Sequence, residues 1–161
     1  MRTSLRPHFT ALCVLISTLA LTQQPLRCNE QRVTYSPEDQ RFTGKIEVTS
    51  IPPTTPGNGK EEKSIEKTRY FVLQEPDFMK NGPWTTVVWI GDATKKATLR
   101  LEFRDHGNGG VHLQWLNENL LYGSVWWGRM VATDFIFNVA TKKFIYREMA
   151  HYGQMAPPCQ P

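Results

Sequence analysis

The sequence contains no apolar run long enough to cross a bilayer, which takes about 20 apolar residues. Its longest such run, residues 11–21, follows Arg2 and Arg6 at the N-terminus. A short positive segment, a compact apolar segment and then small or polar residues are typical of a secretory signal peptide. We therefore expect residues 1–22 to be a signal peptide, the protein to be exported to the periplasm or the cell exterior, and the mature chain to have no membrane span.

Cysteine is also scarce, with three residues in a chain of 161. Cys13 lies in the expected signal peptide, which leaves Cys28 and Cys159 in the mature protein. In an exported protein such an even pair is most simply a disulfide, and we expect this bond. Two unpaired thiols are one alternative. A lipid-anchored Cys28 is another, although Arg27 does not fit the pattern of a lipoprotein signal.

The mature protein has little excess charge of either sign. The full chain has 19 basic and 15 acidic residues, and removal of Arg2 and Arg6 leaves 17 basic against 15 acidic, a net charge of +2. A nearly balanced domain gives no reason to propose nucleic acid or an anionic membrane as a partner. The remaining residues, about 140, can bury a core without metals or many disulfides.

Helical periodicity is absent over any useful length, whereas strand patterns are frequent. Residues 97–104 alternate strictly, because Leu99, Leu101 and Phe103 share one side of the predicted strand. Other short β-branched or alternating segments occupy residues 42–51, 70–73, 84–90, 111–115, 120–127, 134–139 and 144–148. These segments predict an all-β fold, a single antiparallel meander that forms a small sandwich or barrel of about seven strands.

Composition divides the chain into four parts. The signal peptide, 1–22, precedes a mostly irregular segment, 23–66, which has one possible strand and a Pro/Gly-rich loop. The β core is expected over residues 67–152, and residues 153–161 form a polar, proline-rich tail.

A tetrapeptide, Ala-Thr-Lys-Lys, occurs at 93–96 and again at 140–143, each time between two predicted strands. The stretch 115–122, followed by 134–143, resembles one blade of a β-propeller of the exported, peptidase-associated type. A propeller takes at least four blades, and the chain has room for about two. The resemblance therefore implies local blade-like sheet geometry, and it implies no function.

The sequence lacks the common catalytic and cofactor-binding motifs. It has no Gly-x-Ser-x-Gly and no phosphate-binding loop followed by a helix. Asp105, His106 and His112 flank a Gly-rich turn where zinc is conceivable, but no Cys-x-x-Cys or His-Glu-x-x-His accompanies them. We expect no metal site and no cofactor.

The aromatic residues are the strongest remaining signal for function, since all five tryptophans lie between residues 84 and 127. Neighbouring residues of a strand face opposite sides, so Trp126 and Trp127 are expected on different faces. We expect Trp127 to point inward with Val125, and Trp126 to point outward with Tyr122. The alternative is that both faces are covered, one by the other sheet and one by residues 23–66 folding back.

An exposed row of aromatic residues beside an arginine is a plausible recognition surface, because Trp, Tyr and Arg dominate binding hot spots. The candidate binding residues are Trp89, Tyr122, Trp126 and Arg129. We expect an exported non-catalytic binding or interaction module whose ligand is an unknown protein or carbohydrate. The alternative is a small secreted hydrolase with a His/carboxylate site near His106 and His112.

Overall fold

The structure is a computed structural model and describes residues 31–155. The expected signal peptide and both cysteines of the expected disulfide, Cys28 and Cys159, lie outside these residues. Ten strands and one short helix make up the described chain. No helix within it is long and apolar enough to span a membrane.

The elements follow one another along the chain and form two antiparallel sheets of five strands each. They are β1 (Gln31–Pro37), α1 (Gln40–Thr43), β2 (Ile46–Thr54), β3 (Lys60–Lys63), β4 (Arg69–Gln74), β5 (Trp84–Asp92), β6 (Ala97–His106), β7 (Val111–Trp115), β8 (Leu120–Trp126), β9 (Val131–Asn138) and β10 (Lys143–Met155). Sheet A has the strand order β1-β10-β9-β8-β7, and sheet B has the order β2-β6-β5-β4-β3. The predicted all-β antiparallel fold is thus confirmed, with more strands than the seven expected.

The strands do not form the single meander that the sequence suggested. Strands β3 to β6 form one meander and β7 to β10 another, while β1 pairs with β10 and β2 pairs with β6. The segment before β4 therefore extends both sheets at their edges and contributes three strands where one was expected. The Pro/Gly-rich loop expected within residues 23–66 includes Pro52 and Pro53, but these two prolines lie in β2, an edge strand, where the missing N–H groups are tolerated.

The two sheets pack face to face through alternate residues of each strand. Leu99, Leu101 and Phe103 point inward, as their alternation predicted, and each is at most 3% exposed. The core cluster consists of Ile46, Phe71, Leu73, Val88, Ile90, Leu99, Leu101, Phe103, Val111, Trp115, Leu121, Val125, Phe135, Phe137 and Val139. Phe103 of sheet B stacks on Phe135 of sheet A with 5.7 Å between the ring centroids, which joins the sheets at the centre.

One glycine is needed for this packing. Gly123 of β8 lies opposite Phe135 of β9, and the phenyl ring occupies the space that a Cβ at position 123 would fill. Such a close approach of a ring to the backbone requires glycine, so the large aromatic residue and the glycine depend on each other.

The repeated tetrapeptide lies at a hairpin turn at both of its positions, shifted by one residue relative to the strands. It connects β5 to β6 and β9 to β10, and its third residue is left-handed in each case, with φ of 59° at Lys95 and 58° at Lys142. In both turns the backbone N–H of the threonine donates to a side-chain oxygen at the end of the preceding strand, Asp92 or Asn138. The blade-like stretch of sequence lies in sheet A of this sandwich.

Candidate functional site

The outer face of sheet A carries a group of polar and aromatic side chains in three rows that cross the strands. One row contains Ser124, Asp134 and Glu148, side by side on β8, β9 and β10. The second row contains Tyr122, Ile136 and Tyr146, and the third contains Trp126, Ala132, Ala150 and Tyr35. We define the tyrosine face as Tyr35, Tyr122, Ser124, Trp126, Asp134, Tyr146, Glu148 and Tyr152.

Asp134 lies at the centre of the tyrosine face and is 2% exposed, although it points away from the core. The Tyr152 hydroxyl donates to its Oδ2 over 3.3 Å. Its Oδ1 is buried and has no hydrogen-bond partner within residues 31–155, and the same holds for the hydroxyl of the neighbouring Ser124. Burying a carboxylate without full compensation is unfavourable, so this arrangement is maintained at the expense of stability.

The surrounding tyrosines respond to this carboxylate. Burial, followed by the negative charge of Asp134, raises the pKa of Tyr35, Tyr122 and Tyr152, the last to about 12. Burial and a 3.0 Å hydrogen bond to Glu148 raise the pKa of Tyr146 to about 12 as well. Like unperturbed tyrosines, these hydroxyls are protonated at neutral pH, and they present donors around an acidic centre.

The adjacent tryptophans point to opposite faces, as expected from the alternation. Trp126 lies on the tyrosine face and stacks on Tyr152 with 4.7 Å between the ring centroids. Trp127 packs against the core, stacks on Phe42 at 5.0 Å, and donates from Nε1 to Thr133 Oγ1 over 2.8 Å. Of the two tryptophans, only Trp126 is available to the outer surface of sheet A.

The structure brings together two of the four candidate binding residues. Tyr122 and Trp126 both belong to the tyrosine face. Trp89 lies on the outer face of sheet B, where its Nε1 donates to Gln74 over 2.7 Å and Arg100 lies 5.7 Å from its ring. Arg129 is exposed in the turn between β8 and β9. The expected site thus divides between the two sheets and a turn.

The sequence analysis missed the residues that give the face its chemistry: Tyr35, Ser124, Asp134, Tyr146, Glu148 and Tyr152. A signal was present for Asp134, because Phe135 and Phe137 are apolar and alternation places Asp134 on the opposite side of β9. The pairing of β8 and β10 with β9 was needed to show which residues surround it.

The two histidines considered for zinc or for catalysis lie in different sheets. His106 belongs to sheet B, with Nε2 2.9 Å from Thr86 Oγ1, and its Nδ1 donates to the Gly107 carbonyl over 2.8 Å. His112 is exposed on the outer side of β7 in sheet A, in register with Ser124 of the tyrosine face, and Asp105 is exposed beside Lys45. Residues 31–155 contain no group of three or more His, Cys, Asp or Glu side chains placed to hold a metal ion.

Comparison with known protein families, with curated proteins and with solved structures finds no match to this chain. The interpretation of the tyrosine face therefore depends on its own geometry.

Proposed function

We propose that the protein is an exported, non-catalytic binding module that takes its ligand on the tyrosine face. The observation that supports this most is Asp134, a buried carboxylate on an outer sheet face with one oxygen that no described residue satisfies. Natural folds keep such destabilising polar groups mainly where function requires them. The rings around it suit a protein or carbohydrate ligand, since Tyr and Trp supply contact area and polar tips together.

The alternative, a secreted hydrolase that uses His106, has less support. Both ring nitrogens of His106 are already engaged, and burial lowers the pKa of the imidazole. A general base needs a nitrogen within reach of its substrate proton. No observation on the described residues favours catalysis over binding.

The test is a map of ligand contacts on the mature protein. We would titrate ¹⁵N-labelled protein with soluble oligosaccharides and peptides and follow the backbone amide signals. Binding should shift signals of β8, β9 and β10, and Trp126→Ala should abolish this response. Trp89→Ala, a tryptophan variant on the outer face of sheet B, is the matched control and should leave binding unchanged.

Two results would overturn the proposal. Shifts centred on sheet B would place the ligand elsewhere, and cleavage of any compound in the panel would favour the hydrolase. Export is tested separately by N-terminal sequencing of protein recovered outside the cytoplasm. An intact Met1 on soluble cytoplasmic protein would contradict it.

A further inference from the structure

We infer that the tyrosine face binds a protonated primary amine on an unbranched alkyl chain, with its N–H groups directed at Asp134 Oδ1 and Ser124 Oγ. This inference rests on the proposed function and names the chemistry of its ligand.

Two buried oxygen atoms next to each other lack partners. Asp134 and Ser124 are paired in register on β9 and β8, and they are 2% and 6% exposed. Within the described chain, neither Asp134 Oδ1 nor Ser124 Oγ accepts a hydrogen bond of ordinary geometry, although the hydroxyls of Tyr35, Tyr122 and Tyr152 are close enough to interact with the Asp134 carboxylate. A primary ammonium group carries three N–H donors and no acceptor, so one such group can satisfy both oxygens.

The charge of the site points to a cation. Asp134 and Glu148 are opposite each other on antiparallel strands, an arrangement in which like charges destabilise the sheet. Among the side chains that the structure describes, no lysine, arginine or histidine forms an ion pair with either carboxylate. A neutral sugar would leave this repulsion in place, whereas an ammonium group would relieve it.

The neighbouring side chains suit the rest of such a ligand. Ala132 and Ala150 lie beside Asp134 and Glu148 in the next row and give the face an apolar floor. The rings of Trp126, Tyr152 and Tyr35 border this floor, and aromatic rings attract cations through their electron-rich faces. Because Asp134 is almost completely covered, we expect a narrow chain that ends in the charge to reach it and a bulky group to be excluded.

The experiment compares four small probes on the ¹⁵N-labelled mature protein. They are n-butylamine in its protonated form, Nα-acetyl-lysine methylamide, butan-1-ol and tetramethylammonium. The first two carry a primary ammonium on an alkyl chain, the third lacks the charge, and the fourth lacks the N–H groups. At least one of the two ammonium probes should shift amides of β8 to β10 saturably, and the last two should bind at least tenfold more weakly.

The source of the amine follows from the first two probes. Equal binding means that the ammonium and its chain are recognised on any carrier. Binding of the lysine derivative alone identifies a polypeptide as the source, and binding of n-butylamine alone identifies a small amine. If neither binds, or if butan-1-ol or tetramethylammonium binds as tightly, the inference is wrong.

Variants locate the contact on this face. Asp134→Asn should abolish ammonium binding, and Ser124→Ala should weaken it severalfold while removing only a hydroxyl from β8. Glu47→Gln, an exposed carboxylate of β2 in sheet B, is the matched control and should bind like the natural protein. Melting curves show which variants are folded. If Asp134→Asn does not fold, the test is the binding of the ammonium probes by Ser124→Ala, and unchanged binding by this variant would contradict the inference.

Unchanged ammonium binding by folded Ser124→Ala and Asp134→Asn would overturn the inference. The proposed function would survive that result if an oligosaccharide or an uncharged peptide still shifted the tyrosine face. Shifts elsewhere for every ligand would contradict both.

Discussion

At the scale of single residues, Trp126 and Trp127 are neighbours in the sequence, but Trp126 lies on the outer face of sheet A and Trp127 packs against the core. Trp127→Ala removes a ring from the core, its stacking on Phe42 and its hydrogen bond to Thr133. We expect this change to lower the free energy of unfolding by about 3 kcal/mol. Trp126→Ala loses mainly the stacking on Tyr152, about 0.5–1.5 kcal/mol.

Urea unfolding of both variants checks this difference. A loss of similar size in the two variants would mean that Trp126 is as important to the packing as Trp127. The tyrosine face would then be a second core rather than a binding surface.

His106 makes the stability of the protein depend on pH. Burial lowers the pKa of its imidazole below the ordinary value of 6.5, against smaller opposing effects of Gly107 and Glu75. Between the lowered pKa and 6.5, the unfolded chain binds a proton that the folded chain does not. The free energy of unfolding should therefore fall as the pH decreases through this window and rise as the pH increases.

The measurement is urea unfolding at about pH 7.5 and about pH 5.5, for the natural protein and for His106→Gln. The glutamine variant cannot titrate, so its unfolding free energy should change less between the two conditions. An equal change in both proteins would assign the pH dependence to other groups.

At the scale of elements, a single carboxylate fastens the β3–β4 turn to the β7–β8 turn. Glu118 accepts hydrogen bonds from the Ser64 hydroxyl at 2.6 Å, from the backbone N–H of Glu66 at 2.5 Å, and from the Thr68 hydroxyl. Desolvation raises the pKa of Glu118, but these hydrogen bonds outweigh it and the pKa is lowered. The turn of sheet B is thereby attached to sheet A.

Glu118→Gln should loosen this connection, because the amide that replaces one oxygen cannot accept hydrogen bonds. We expect faster hydrogen exchange at the Glu66 amide and a lower melting temperature, while the amides of β5 and β6 keep their protection. Glu61→Gln is the control, since the ion pairs of Glu61 with Lys63 and Lys95 are exposed and are long, at 3.9 Å. Unchanged exchange at Glu66 would show that the turn holds its conformation without Glu118.

The elements differ in how well the sequence predicts them. Strand β6 and its inward-facing residues were predicted correctly. One face of this strand is buried and the other faces solvent, so apolar and polar residues alternate in its sequence. Strands β1 and β3 were not predicted. Both are edge strands, which can form without an apolar pattern, and β3 consists of the charged residues Lys-Glu-Glu-Lys. Strand β2 was expected over 42–51, but α1 occupies the beginning of that range and the strand continues through two prolines.

The tyrosine face was predictable only in part, for a related reason. Alternation along β8 places Tyr122 and Trp126 together, because both lie on one strand. Asp134 and Glu148 become neighbours through the register between β9 and β10, which no local pattern specifies. Trp89 was grouped with these residues because all five tryptophans lie between residues 84 and 127, yet its strand belongs to the other sheet.

At the scale of the whole molecule, the pairing of β1 with β10 bears on the expected disulfide. Gln31 and Met155 are register partners on these adjacent strands, and Cys28 lies three residues before the first while Cys159 lies four residues after the second. Connections of this length allow the two thiols to meet. We expect a Cys28–Cys159 bond that stabilises the protein by ~4–5 kcal/mol on the chain-entropy model.

Peptide mapping without reductant checks the bond, and Cys28→Ser, which cannot form it, is the control for the melting temperature. The natural protein should melt at a higher temperature than this variant until reductant is added. Alkylation of both cysteines in the native protein would rule the bond out.

The four edge strands of the sandwich are not equally protected against joining another chain. Strand β1 ends in Pro37, β2 contains Pro52 and Pro53, and β3 consists of four charged residues, all features that discourage pairing with a foreign strand. Strand β7, Val111–Trp115, has neither proline nor a charged lysine or carboxylate, and within residues 31–155 it pairs on one side only. We therefore expect β7 to be the edge strand through which copies of the protein pair in concentrated solution. Substitutions in this strand should then change aggregation without changing the packing of the core.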